Sequence, residues 1–97
     1  VAIKAIVELQ AKPGKRAELQ GLLESMVAQQ GSGQVGFLGS TRYEVLDSPD
    51  MLIEIADWDS AEAREAHMEE SAATGAYAPV LDMLAAPFKV TIVRRLP

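Results

Sequence analysis

Cysteine and asparagine are absent from this 97-residue chain, and it has one histidine, one tryptophan, two tyrosines and two phenylalanines. Without cysteine, neither a disulfide framework nor a thiolate site can form. One histidine and scattered carboxylates do not supply the three or four ligands that a metal centre needs. Lysine and arginine are few and scattered, and the net charge of -5 argues against a nucleic-acid surface. The pairs Lys15-Arg16 and Arg94-Arg95 read as solvated element ends.

No apolar run is long enough to cross a bilayer. Lys4 and Glu8 interrupt the first apolar stretch, so the start does not read as a secretory signal. Gly31-Ser32-Gly33-Gln34-Val35-Gly36 lacks the strand-to-helix setting of a phosphate-binding loop. No serine sits in a nucleophile elbow. The expectation is one soluble, cytoplasmic domain spanning residues 1–97, with no cofactor, no nucleic-acid partner and no membrane partner.

What is present is periodic. Val1 to Gln10 alternates, with Val1, Ile3, Ala5, Val7 and Leu9 on one face of a strand. Lys12-Pro13-Gly14 ends it. A helix from about Lys15 to Gln30 carries Leu19, Leu22, Leu23, Met26 and Val27 on one stripe, weakened by Gly21 and stopped by Gly31-Ser32-Gly33. Val35 to Leu46 and Met51 to Trp58 form a hairpin about the turn Leu46-Asp47-Ser48-Pro49-Asp50. Asp59 with Glu62 fits a capping box opening a second helix, whose inner face would hold Ala63, Ala66 and His67. Ser71 to Gly75 interrupts that helix. A further helical piece carries Tyr77, Val80, Leu81 and Leu84, with Pro79 tolerable in its first turn. Phe88 to Arg94 is the last strand.

This order, β-α-β-β-α-β, is the ferredoxin-like α+β arrangement: a four-stranded antiparallel sheet with helices on one face. The second sheet face is also apolar, and no element remains to cover it. A second copy packing sheet against sheet is the simplest cover, which predicts an isologous two-fold homodimer.

The stretch Gly39 to His67 concentrates the chemistry. It holds Gly39-Ser40-Thr41-Arg42-Tyr43-Glu44, the Ser48-Pro49-Asp50 turn, the strand end Glu54 to Trp58, and the spacing from Trp58 to His67. Together with Pro13-Gly14-Lys15 and Pro87, these pieces resemble the antibiotic biosynthesis monooxygenase family of dimeric α+β barrels over nearly the whole chain. The resemblance implies the same dimer. It also implies oxygenation of an electron-rich aromatic, a quinol or a polyketide phenol, by dioxygen without metal or flavin.

Three residues are candidates for catalysis on that reading. His67 titrates in the range suited to proton transfer. Trp58 can stack on a ring and donate its indole N–H. Glu54 can orient His67 or act as an acid when desolvated. Tyr77, Tyr43 and Arg42 are the candidates for substrate binding. Each has a plainer alternative: Trp58 as pocket wall, His67 as a hydrogen-bonded core residue, the tyrosines as packing. For Glu54, set among Leu52, Ile53 and Ile55, the alternative is a salt bridge to Arg42 on the paired strand.

Two departures limit what the resemblance implies. The polyketide oxygenases carry an asparagine where this chain has Glu54. The haem-degrading members use an asparagine, a tryptophan and a histidine ligand, and here the last two positions are His67 and Tyr77. Haem degradation is therefore not expected. A binding dimer without catalysis and an isomerase or lyase on the same frame remain as alternatives.

Overall fold

The structure is a computed structural model that describes residues 1–30 and 34–97. Its elements are β1 (Ile3–Gln10), α1 (Arg16–Gln30), β2 (Phe37–Val45), β3 (Ser48–Trp58), α2 (Ala61–Thr74), α3 (Ala78–Asp82) and β4 (Lys89–Val93). All pairings are antiparallel and the sheet order is β2-β3-β1-β4, the ferredoxin-like topology. The expected glycine stop at residues 31–33 lies outside the described residues.

Strand period and register decide which side chains meet the helices. Ile3, Ala5, Val7 and Leu9 pair with Trp58, Ala56, Glu54 and Leu52. That face packs beneath the helices, where Leu9, Ala11, Leu19, Leu23, Leu52 and Val80 form the core. On the reverse face, Ile6 stands opposite Ile55 and Tyr43 opposite Ile53. Ion pairs Lys4–Asp57 and Lys89–Glu8 flank this apolar strip. Among the described residues, no element covers it.

Two irregularities in β2 and β3 matter for the site. Phe37 pairs with Trp58 and Gly39 with Asp57, so Leu38 is an extra residue, a β-bulge, beside Gly39 at φ 123°. Phe37 and Ser40 are separated by an odd number of positions, and in a regular strand they would face opposite sides. The bulge restores both to the helix side, together with Arg42. β3 also begins earlier than the sequence suggests, at Ser48, leaving only Leu46-Asp47 as the turn. Pro49 is tolerated because the register passes from Val45↔Ser48 to Glu44↔Leu52, so its missing N–H has no ladder partner to lose.

The second helix differs from expectation in three respects. Ser60, not Asp59, is the N-cap: its hydroxyl accepts from the Ala63 N–H at 3.1 Å, while the Asp59 N–H donates to the Gly36 carbonyl at 2.9 Å. With the helix starting one residue later, Glu62 no longer sits at the third position and the capping box is lost. Ser71 does not interrupt the helix but lies buried within it. The stop comes at Gly75, φ 68°, where the Gly75 and Ala76 N–H groups donate to the Ala72 and Ser71 carbonyls in a Schellman motif. Finally, Ala66 is exposed, and the inward stripe runs through Ala63, Arg64, His67, Met68 and Ser71.

α3 is a single short turn with Pro79 near its start. It is tied to the end of β1 by Lys12 N–H to Met83 carbonyl and Ala85 N–H to Gln10 carbonyl, each 2.8 Å. Tyr77, immediately before it, is thereby held over the sheet.

Candidate functional site

Between the sheet and the helices lies a cavity of about 120 Å³. Its wall is largely apolar, from Ala5, Val7, Leu23, Met26, Val80 and Val90, with Glu54, Trp58, His67 and Tyr77 placed among them. Each of these four arrives for a local reason. Glu54 and Trp58 are four residues apart on one strand and so share a face. His67 lies on the buried stripe of α2, and Tyr77 is delivered by the Gly75 stop and the start of α3.

The aromatic groups touch in series. The Phe37 and Trp58 ring centroids are 5.2 Å apart, Trp58 and His67 5.3 Å, and His67 and Tyr77 6.3 Å with planes at 89°. These spacings fall within the range of favourable aromatic contact. Trp58 and His67 are only 3 % and 5 % exposed. Both imidazole nitrogens are engaged: Nδ1 lies 2.9 Å from Gln34 Oε1, and Nε2 lies 3.1 Å from the Tyr77 hydroxyl. Burial holds the His67 pKa below its ordinary value, with Glu70 opposing and Arg64 reinforcing the shift. Tyr77 is pushed the other way, above the usual phenol value, first by burial and then by the nearby Glu54 carboxylate. At neutral pH the pair is an uncharged imidazole beside an uncharged phenol.

Glu54 faces a different partner. Its Oε2 lies 3.5 Å from Arg42 Nη1, and both side chains are 17 % exposed. The same Arg42 nitrogen donates to Ser40 Oγ at 2.8 Å. Burial raises the Glu54 pKa, although the guanidinium pulls against it. The salt bridge weighed from sequence is therefore present, and Glu54 does not approach His67 as a bonded partner.

The six sequence candidates thus separate. Glu54, Trp58, His67 and Tyr77 line one cavity. Arg42 stands behind Glu54, outside the lining, and borders a second, more polar hollow with Arg16 and Gln20. Tyr43 pairs with Ile53 on the opposite sheet face and is half exposed, away from the others. No sequence signal points to Gln34. It precedes β2 in an aperiodic segment, in a turn that holds Gly36 at φ 82° and in which the Gln34 carbonyl accepts from the Phe37 N–H at 3.3 Å. Among the described residues, no group of three histidine, cysteine or acidic side chains is placed to hold a metal ion. No helix among them is long and apolar enough to cross a membrane.

Comparison with solved structures shows the same fold at low identity. A conserved protein from Methanosarcina mazei superposes with TM-score 0.83 at 20 % identity, over 99 % of this chain and 94 % of that one. Rv0793 from Mycobacterium tuberculosis gives 0.80 at 23 %, over 100 % and 97 %. A variant of SnoaB, a cofactor-independent oxygenase from Streptomyces nogalater, gives 0.81 at 14 %, over 97 % and 92 %. No curated protein matches the sequence. The profile of the family described as "Antibiotic biosynthesis monooxygenase" matches residues 2–78. Since that span covers most of the chain, the protein belongs to the antibiotic biosynthesis monooxygenase family.

Proposed function

We propose that this chain is a cytoplasmic, homodimeric monooxygenase that oxidises a small aromatic diol with dioxygen, using no metal or flavin. The observation that carries the reading is the set Trp58, His67 and Tyr77 in contact along the wall of an apolar cavity, in a chain of this family. SnoaB, which shares the fold, is described as a cofactor-independent oxygenase.

A hydroquinone and dioxygen can give a hydroxyquinone and water with no further reagent, because the ring supplies all four electrons. One oxygen atom enters the ring and the other leaves as water. Loss of a phenolic proton makes the ring a better electron donor, and electron transfer to dioxygen then lets the two join as a hydroperoxide that expels water. The protein has to accept the proton, hold the ring and keep water away. A neutral His67 linked to Tyr77 suits the first task, and the indole of Trp58 suits the second. A cavity of about 120 Å³ is close to the roughly 150 Å³ that accommodates a benzene ring.

The homodimer is proposed on the open sheet face, where Ile6, Ile53 and Ile55 are half-buried in the isolated chain and flanked by the two ion pairs. Light scattering at micromolar concentration should give twice the chain mass, and a monomer would refute the pairing. For the chemistry, oxygen uptake should be measured with a panel of hydroquinones in the presence of a chelator. Uptake by the parent, with strong losses in His67→Ala and Trp58→Phe, is expected. If no substrate is consumed, or if both variants match the parent, the oxygenase assignment fails.

A further inference from the structure

Gln34 offers His67 an oxygen, and an amide oxygen has no proton to give. With Gln34 Oε1 facing the ring at 2.9 Å, the contact to His67 Nδ1 is a hydrogen bond when Nδ1 carries the hydrogen. Nε2 of the neutral ring is then an acceptor, and the 3.1 Å contact to Tyr77 is a hydrogen bond donated by the phenol. We propose that Gln34 is a positioning residue that holds His67 as the Nδ1–H tautomer, and that Tyr77, not His67, meets the substrate's proton.

This inference rests on the oxygenase reading and adds the route of its proton. Both imidazole nitrogens already have protein partners, so a substrate hydroxyl cannot reach His67 without breaking one of those bonds. The Tyr77 oxygen, which lines the cavity, spends its one hydrogen on Nε2 and keeps lone pairs for a donor. As the substrate O–H bond breaks, its proton passes to the Tyr77 oxygen and the Tyr77 proton passes to Nε2. Tyr77 ends neutral, His67 ends as imidazolium, and Nδ1–H still donates to Gln34. The opposite tautomer would block the relay, because Nε2–H would have no lone pair to receive the proton.

The groups facing this chain from the surrounding elements are Arg64 and Glu70 on α2, Glu54 on β3 and Ser71 beside Tyr77. Among the described residues, none of them is hydrogen-bonded to His67 Nδ1 in place of Gln34.

Because the chain has a single histidine, its ring ¹⁵N resonances need no assignment. Long-range ¹H–¹⁵N spectra of the intact protein above the His67 pKa should show a protonated Nδ1 and an unprotonated Nε2. Gln34→Leu should move the ring toward Nε2–H, whereas Gln34→Glu keeps an acceptor and should retain Nδ1–H. With methylhydroquinone as substrate, Gln34→Leu should lose on the order of 10²-fold in kcat with KM little changed, and Gln34→Glu should recover part of that loss. A parent protein with Nε2–H, or a tautomer unmoved by Gln34→Leu in a folded variant, would overturn the proposal. If methylhydroquinone and related diols are not oxidised at all, the oxygenase reading falls, while the spectra still decide what Gln34 does.

Discussion

Gly36 is packed so closely on the first turn of α2 that a β-carbon added to it would lie 2.5 Å from the Ala63 β-carbon and 2.7 Å from Asp59 Oδ1. Its φ of 82° is also one that side chains with a β-carbon rarely adopt. Two residues earlier in the same turn is Gln34. Gly36→Ala should therefore cost about 2 kcal/mol or more from strain and contact together, seen in urea unfolding, and should loosen Gln34 from His67. Unchanged stability would mean that the turn does not clamp the loop as described.

For the proposed oxygenase, the acid limb of the activity profile is expected to follow His67. The proposed relay needs the neutral ring, and burial lowers the folded pKa. Activity should therefore rise with pH through a value below the ordinary 6.5 and be flat above it. Stability moves in the same direction: between the lowered folded value and 6.5 the unfolded chain binds more protons, so acidification through that window destabilises the fold. A limb above 6.5 would contradict the buried setting of the ring.

Arg42→Met leaves Glu54 buried without its partner. The loss should be roughly 2–4 kcal/mol at pH 7. Glu54 already has a raised folded pKa, and the substitution should raise it further. Between 4.5 and that raised folded value the folded state binds more protons than the unfolded state, so stability falls as pH rises through that window. Urea midpoints at pH 4 and pH 7 should show a smaller defect at pH 4, and the double variant Arg42→Met/Glu54→Gln should recover much of it.

Gly21 sits within α1, exposed and with nothing within 4 Å of an added β-carbon. Gly21→Ala should stabilise the protein by about 0.5–1 kcal/mol, a gain of several degrees in Tm for a domain of this size. Oxygen uptake should not change.

Strand period made much of this legible from sequence. Ile3, Ala5, Val7 and Leu9 alternate, and Glu54 and Trp58 are an even number apart, so their shared face needed no coordinates. His67 followed from the helical spacing of α2. What period cannot carry is parity that changes within a strand: the bulge at Leu38 puts Phe37 and Arg42 on one side, and no alternation rule foresees it. Asp59 and Ser60 are both good N-caps, and the choice between them was made by the Gly36 carbonyl, remote in sequence. Ser71 reads as a helix breaker until its burial against the core and the Gly75 stop are known. Gln34 precedes β2 in a loop, and its contact with His67 is tertiary and leaves no repeat to detect.

The sole tryptophan rests against the sole histidine, their ring centres 5.3 Å apart. An imidazolium withdraws excitation from a neighbouring indole far more effectively than a neutral imidazole does. Emission from this protein is thus a built-in gauge of the charge on that one ring, readable without label or substrate. Any molecule that settles between the two rings, or pulls a proton onto one of them, will announce itself as a change in brightness.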